Sequence, residues 1–233
     1  MPKRSDLAAQ HKPAQPSGRA DVAAFLAEVR ALPQRKGGRG RLIFALDATM
    51  SRQPTWDLAC QLQAAMFEAA AKAGGLEVQL VYFRGHGEAR ASGFVSDSAA
   101  LTRLMTGIAC HGGLTQIGRV LEHAVHAATK APVAALVYVG DAMEENVDSL
   151  CQTAGELGLR NTRAFMFHEG GDPAAAQAFR EIARLTGGSY LPFDARSAAE
   201  LRALLAAIGA YAAGGRPALE AAGTRWPVAS SPT

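Results

Sequence analysis

Short apolar segments alternate with longer amphipathic segments between residues 41 and 212. Five of the short segments are apolar on both faces, as is typical of strands buried inside a parallel sheet. A sixth, EARASGFV, is half polar and follows VQLVYFR after the turn formed by residues 85–87, which predicts an antiparallel edge strand. The five buried strands are predicted at RLIFALD, VQLVYFR, VAALVYVGD, TRAFMFH and GSYLPFD.

The segments between the strands have the periodicity of helices that are buried on one face. After the first strand, one face carries Leu58, Ala59, Leu62, Met66, Ala69 and Ala70, and Gly74–Gly75 indicates the end of the helix. Further helices are predicted over 21–32, 97–108, 116–129, 147–157, 173–185 and 198–212. Because parallel strands are joined by right-handed crossovers, we predict a doubly wound α/β fold with a mainly parallel six-stranded sheet, one antiparallel edge strand and helices on both faces.

Composition changes along the chain suggest four parts. Residues 1–20 and 216–233 mix Pro, Ser, Gly and charged residues with few large apolar ones, so both are expected to be flexible tails, the first of them basic. A helix and a basic linker are predicted over 21–39. A single domain is expected over 40–215, which is long enough for one large core.

The charge of the chain is concentrated near its start. Lys and Arg number 24 against 21 Asp and Glu, and nine of the 24 lie within residues 1–41. Arg35, Lys36, Arg39 and Arg41 could contact an acidic partner, but no aromatic residues interleave with them as expected of a nucleic-acid surface. A solvated basic linker is therefore favoured, and a nucleic-acid partner is not.

The cysteine content indicates a reducing compartment, and the apolar segments indicate neither a membrane span nor a secretory signal. Three widely spaced cysteines suggest neither a disulfide framework nor a zinc site. The longest apolar stretch, 132–139, is far shorter than the ~20 residues of a membrane span. The first residues lack the apolar region of a secretory signal. The expected location is the cytoplasm, with no membrane partner.

Five side chains that carry oxygen lie near the ends of the two strands predicted to be central. Four of them lie at the end of a strand or just after it, and the fifth lies just before a helix. Asp47, Thr49 and Ser51 follow the first strand, Asp141 ends VAALVYVGD, and Thr115 follows a pair of glycines. Ligands of doubly wound sheets bind outside the carboxyl ends of the strands, where the strand order reverses, so we predict that these side chains converge. An all-oxygen donor set suits a hard cation, and Mg²⁺ held by few charged ligands would retain water.

This pattern resembles the von Willebrand factor A (VWA) family, whose metal-ion-dependent adhesion site combines D-x-S-x-S with a later threonine and a later aspartate. The segment DATMS matches the first motif, and GGLTQIGRVLEHA is similar to the threonine loop and its helix. The resemblance covers residues 40–215. It implies that the metal ligands are Asp47, Thr49, Ser51, Thr115 and Asp141. The sequence departs from the family at Thr49, where serine is commoner, and at Ala142, where glycine is often found.

The resemblance to the VWA family also implies a function. It indicates a metal-dependent protein-protein interaction module of the bacterial intracellular type rather than an enzyme. Mg²⁺, with Mn²⁺ or Ca²⁺ as alternatives, would bind an Asp or Glu side chain of a partner protein. Since many bacterial intracellular VWA proteins work beside AAA+ ATPases, such a complex is the implied partner.

Other interpretations of the same residues remain open. Ser51 or Thr115 could cap the helix that follows, and Asp47 or Asp141 could simply turn the chain. A VWA scaffold with no bound metal is one alternative function. Another is a small Rossmann-like hydrolase that uses Cys110 or a metal-bound water, although a buried cysteine that packs the end of the helix before it is favoured.

Two further pairs of residues have both a functional and a structural interpretation. His123 and His126 could form a metal pair, but a solvated helix face is favoured. Glu144 and Glu145 could adjust the potential at the rim of the site. The favoured interpretation is that they lead into the next helix, whose N-terminus attracts acidic residues.

Overall fold

The computed structural model describes residues 19–32, 39–71, 74–193 and 198–214. The tails predicted over 1–20 and 216–233 lie outside these ranges, apart from residues 19 and 20. Arg35 and Lys36 of the basic linker also lie outside them. The structure therefore concerns the predicted domain and the helix that precedes it.

The described strands form one six-stranded sheet in the order β3-β2-β1-β4-β5-β6. All neighbouring strands are parallel except β2 and β3, which are antiparallel. The predicted sheet, including its antiparallel edge, is confirmed. The strands are β1 Gly40–Asp47, β2 Leu76–Arg84, β3 Glu88–Val95, β4 Ala135–Gly140, β5 Arg163–Glu169 and β6 Ser189–Phe193.

The helices begin and end within a few residues of the predicted positions, with one difference. The single helix expected after β1 is a short 3-10 turn, Met50–Arg52, followed by two helices that meet at Gln63. Gln63 is buried, and its amide donates to the Ser98 carbonyl and the Thr102 hydroxyl. The helices are α1 Arg19–Ala31, α2 Gln53–Leu62, α3 Ala64–Ala70, α4 Ser98–Thr106, α5 Ile117–Lys130, α6 Val147–Leu159, α7 Pro173–Thr186 and α8 Ala198–Gly214.

Apolar side chains on the two faces of the sheet form separate cores. Along β1, Leu42 and Phe44 face the core shared with α1, α2, α3, α4 and α8, whereas Ile43 and Ala45 face the core shared with α5, α6 and α7. A strand covered on both sides must be apolar throughout, which explains why β1 shows no alternation of polar residues. None of the described helices has the length and apolar composition needed to cross a membrane.

The central pair of strands positions the candidate site. In β1 and β4, Leu46 is in register with Val139, so Asp47 and Gly140 end neighbouring parallel strands. The crossover after β1 leads to β2 on one side, and β4 begins the other half of the sheet. The carboxyl edge between β1 and β4 is therefore the point where a doubly wound sheet binds ligands.

The close contact between α8 and α3 provides a test of this packing. A Cβ atom added to Gly209 in α8 would lie 2.6 Å from the carbonyl oxygen of Met66 in α3. We expect Gly209→Ala to lower the free energy of unfolding by about 1–3 kcal/mol, because backbone must move to admit the methyl group. In the control, Gly155→Ala in α6, the added Cβ meets no atom within 4 Å. That change should stabilise the helix by about 0.5–1 kcal/mol. Urea denaturation measures both, and equal effects would contradict the packing.

Candidate metal centre at the carboxyl edge of the sheet

Asp47 is a buried carboxyl group at the end of the central strand, with 3% of its surface exposed. Its Oδ1 atom accepts a hydrogen bond from the Thr49 backbone N–H at 2.7 Å, so it does turn the chain as it leaves β1. Burial raises the pKa of Asp47 to about 6, against the opposing effect of the hydrogen bonds from Thr49. The nearby Asp141 raises the pKa further, and Arg52 lowers it. A carboxyl group in this setting favours a proton or a cation beside it.

The hydroxyl groups of the first motif connect Asp47 to Asp141. The hydroxyl oxygens of Thr49 and Ser51 lie 3.3 Å apart. The Ser51 hydroxyl donates a hydrogen bond to Asp141 Oδ2 at 3.2 Å. Neighbouring oxygens in an octahedral Mg²⁺ site, with bonds of 2.0–2.1 Å, are about 3 Å apart. The spacing and chemistry of these donors therefore fit a magnesium ion.

Thr115 lies on the same edge, but its hydroxyl contacts a different residue. Thr115 Oγ1 donates to Glu144 Oε2 at 2.6 Å, and the Thr115 backbone N–H donates to the same oxygen at 3.1 Å. Glu144 belongs to the loop that begins at Asp141. Direct contacts thus connect four of the predicted residues: Asp47, Thr49, Ser51 and Asp141. Thr115 contacts Glu144 of the β4–α6 loop instead.

The acidic pair after Asp141 has a role that the sequence analysis did not identify. Glu145 accepts hydrogen bonds from the backbone N–H groups of Ile117 and Gly118, the first two residues of α5. Glu144 and Glu145 do lead into α6, as favoured, but their carboxylates accept hydrogen bonds from Thr115 and from the start of α5. The N-cap of α6 is Asn146.

The alternative role of the hydroxyls as helix caps is also not observed. The residue at the N-cap of α5 is Gln116 rather than Thr115, and it makes no side-chain cap hydrogen bond. The N-cap of the 3-10 turn is Thr49, and that of α2 is Arg52. Ser51 and Thr115 instead direct their hydroxyl groups to carboxylates of the β4–α6 loop.

Sequence reasoning missed two charged residues at this edge. Arg52 follows the first motif directly, and its Nη2 atom lies 3.0 Å from Asp141 Oδ2. Its Nη1 atom lies 2.5 Å from Oε2 of Glu169, the last residue of β5, which also accepts a hydrogen bond from the Thr55 hydroxyl. Glu169 could have been found by the argument that identified Asp141, because it too ends a parallel strand.

The cysteine near the site belongs to the core. Cys110 is 5% exposed and packs with the apolar side chains around α4. Burial raises the pKa of its thiol to about 11, and the charge of Asp47 acts in the same direction. Because the thiolate is the nucleophile, a thiol that is protonated near neutral pH does not support the cysteine-hydrolase alternative. The favoured packing role is confirmed, although Cys110 lies four residues beyond the end of α4.

The histidines of α5 do not form a metal pair in the structure. His123 is half-buried, and its Nε2 atom lies 2.9 Å from Oε1 of Gln79. Burial lowers the pKa of His123. His126 is exposed, as predicted for the solvated face. In the described ranges, no group of three or more His, Cys, Asp or Glu side chains is arranged to hold a metal ion. A metal at this edge therefore depends on the hydroxyl groups of the motif.

Solved structures with a similar fold include VWA domains. A von Willebrand factor type A protein from Catenulispora acidiphila has a TM-score of 0.56 and 20% identity over 72% of this chain, which spans 42% of that chain. The SpRpn10 VWA domain has a TM-score of 0.55 and 12% identity over 72% of this chain and 94% of its own. The PilB minor pilin from Streptococcus sanguinis has a TM-score of 0.60 and 12% identity, over 86% of this chain and 65% of its own.

These similarities assign a VWA-type α/β fold, as the sequence motif implied. No protein-family model and no curated protein sequence matches the chain. At 10–20% identity the similarity to solved structures concerns the fold. The chemistry of the site must therefore be argued from its own residues.

The raised pKa of Asp47 predicts a pH-dependent stability. The ordinary pKa is 3.8 and the folded value is about 6, so the folded state binds the proton more tightly and loses stability as the pH rises between these values. We expect Asp47→Asn, in EDTA, to raise the free energy of unfolding by roughly 3 kcal/mol at pH 7 and to change it little at pH 4. Urea denaturation at both pH values measures this. An equal effect of Asp47→Asn at both pH values would contradict the argument.

Proposed function

We propose that the protein is an interaction module that binds an acidic side chain of a partner protein through Mg²⁺ at the β1–β4 edge. Asp47, Thr49, Ser51 and Asp141 would hold the ion, and Thr115 would join them from its loop. The observation that carries this proposal is the continuous series of oxygen contacts from Thr49 through Ser51 to Asp141, beside the buried carboxyl group of Asp47.

The charges of the donors support binding of a further carboxylate. When bound, Mg²⁺ supplies a hard cationic centre whose water ligands can be replaced by a carboxylate oxygen. Asp47 fixes the turn that carries Thr49, and Ser51 connects this turn to Asp141. Since the hydroxyls add no charge, two carboxylates are the only anionic ligands in the proposed set. Mn²⁺ and Ca²⁺ accept the same donors.

The surroundings of the site suit a protein partner. Met50 lies between two of the proposed ligands and is 64% exposed, and Leu114 precedes Thr115 and is 53% exposed. A partner bound at the proposed site would cover these side chains, and burial of their apolar surface would add to the affinity. The resemblance to intracellular VWA proteins extends the proposal to a cytoplasmic complex with an AAA+ ATPase.

A metal-independent module on the same fold is the second candidate function. The observation that favours it is the ion pair between Arg52 and Asp141, which neutralises one of the proposed ligands without a metal. The two candidates differ in whether the wild-type protein binds divalent cations at all.

Substitutions at Thr49 test the metal site without removing charge. Thr49→Ser keeps the ligand oxygen and should bind Mg²⁺ and Mn²⁺ like the wild type in isothermal titration calorimetry. Thr49→Val removes the oxygen at nearly constant volume and should weaken binding by at least about tenfold, as should Asp141→Ala. Equal affinities of Thr49→Ser and Thr49→Val would show that this hydroxyl is not a ligand.

Peptide capture tests the proposed partner chemistry. On an array of peptides containing Asp or Glu and matched peptides with Asn or Gln, the protein should bind the acidic members in Mg²⁺ and lose them in EDTA. Thr115→Val should reduce capture, because Thr115 lies on the loop that faces the β4–α6 connection. Circular dichroism in EDTA should show an intact fold. Acidic capture that persists in EDTA would contradict the metal-dependent proposal and favour the metal-independent module.

A further inference from the structure

Arg52 is buried to an unusual degree for an arginine. Only 12% of its side chain is exposed, and its guanidinium lies between two carboxylates that end neighbouring parallel strands, Asp141 after β4 and Glu169 in β5. Arginine is rarely this buried unless it is paired, and its guanidinium remains charged at every physiological pH. The carboxyl edge therefore already contains one permanent cation.

The guanidinium of Arg52 is paired with Asp141, which is one of the proposed metal ligands. Asp141 Oδ2 lies 3.0 Å from Arg52 Nη2 and accepts the hydroxyl of Ser51 at 3.2 Å. Arg52 Nε also donates to Ser51 Oγ, at 3.4 Å. A divalent ion that binds Asp141 competes with the guanidinium for the charge of this carboxylate, because two cations held by one carboxylate repel each other.

We propose that Arg52 determines the cation affinity of the site, as a tethered positive charge that competes with the divalent ion for Asp141. This inference rests on the proposed metal-dependent function. Arg52 makes no contact with a partner in this scheme and acts through Asp141, so it is a positioning residue. Its charge stabilises the metal-free edge and weakens metal binding by the same competition.

Glu169 gives Arg52 a second site to occupy. The Nη1 atom of Arg52 is paired with Glu169 Oε2, and the Thr55 hydroxyl holds the same oxygen. Arg52 can therefore release Asp141 and keep one carboxylate partner, which avoids the high cost of a buried, unpaired guanidinium. Glu169 thus favours release of Asp141, whereas Arg52 opposes metal binding.

Opposite effects of two neutralising substitutions test this competition. With MgCl₂ and MnCl₂ in isothermal titration calorimetry, Arg52→Gln should tighten binding by about tenfold, because the competing charge is lost. Glu169→Gln should weaken binding by about fivefold, because Arg52 then depends on Asp141. Residues with a merely structural role would change the affinity in the same direction when either is replaced. Arg52→Lys keeps the charge but has one terminal nitrogen in place of the two that contact Asp141 and Glu169, so it should give an intermediate affinity.

A second readout is the thermal stability in EDTA. Arg52→Gln should lower the melting temperature of the metal-free protein, and Mg²⁺ should then raise it by more than it does in the wild type. The matched control is Arg202→Gln, which removes the same charge from an exposed pair with Glu68. This control should leave both the affinity and the response to Mg²⁺ unchanged.

The possible outcomes separate this inference from the proposed function. Tighter binding by Arg52→Gln than by the wild type supports the inference. If Arg52→Gln binds metal and the wild type binds none, the inference still stands and only the metal-dependent function is contradicted. Wild-type binding with an unchanged or weaker affinity in Arg52→Gln overturns the inference and leaves the function standing. Absence of binding in both proteins overturns both. If Arg52→Gln does not fold, weaker binding by Glu169→Gln together with tighter binding by Arg52→Lys supports the inference, and any other pair of results overturns it.

Discussion

A buried carboxyl group at the end of the central strand is the constraint on which the carboxyl edge depends. β1 is covered by helices on both faces and flanked by β2 and β4, so Asp47 leaves the strand in a largely dehydrated place. The hydrogen bond from Thr49 does not offset this burial, as the raised pKa of Asp47 shows. The positive charge of Arg52 lowers the pKa of Asp47 and so compensates in part for the burial of this acidic group.

The parts of the structure that follow from backbone periodicity could be predicted from the sequence. The alternation of buried strands with helices fixed the parallel sheet, because crossover handedness allows few arrangements of such elements. The same rule brought Asp47 beside the end of β4, since both strands contribute their carboxyl ends to one edge. It applies equally to Glu169, which ends the parallel strand β5 but belongs to no recognised motif.

Side-chain contacts made across loops could not be predicted in the same way. Arg52 has a long side chain, so its position in the sequence does not decide which carboxylate it reaches, and here it reaches Asp141 and Glu169. Glu145 binds the start of α5 because the β4–α6 loop folds back over it, a tertiary arrangement that helix-end preferences do not describe. At Gln63, a buried amide that donates to Ser98 and Thr102 accompanies a break that apolar periodicity does not reveal.

The separation of the proposed site from the two cores means that folding need not depend on a metal ion. A structural metal ion contributes much of the folding free energy of small metal-dependent domains, whose unfolded state lacks a preformed site. Here, apolar side chains on both faces of the sheet form the cores, whereas the proposed ligands lie at the carboxyl ends of β1 and β4 and in the loops there. The carboxylates at this edge can be neutralised by a proton on Asp47 or by Arg52 on Asp141, and under the proposed function also by a divalent ion. Because each alternative leaves the cores intact, the balance among them can change the binding of a partner without deciding whether the chain folds.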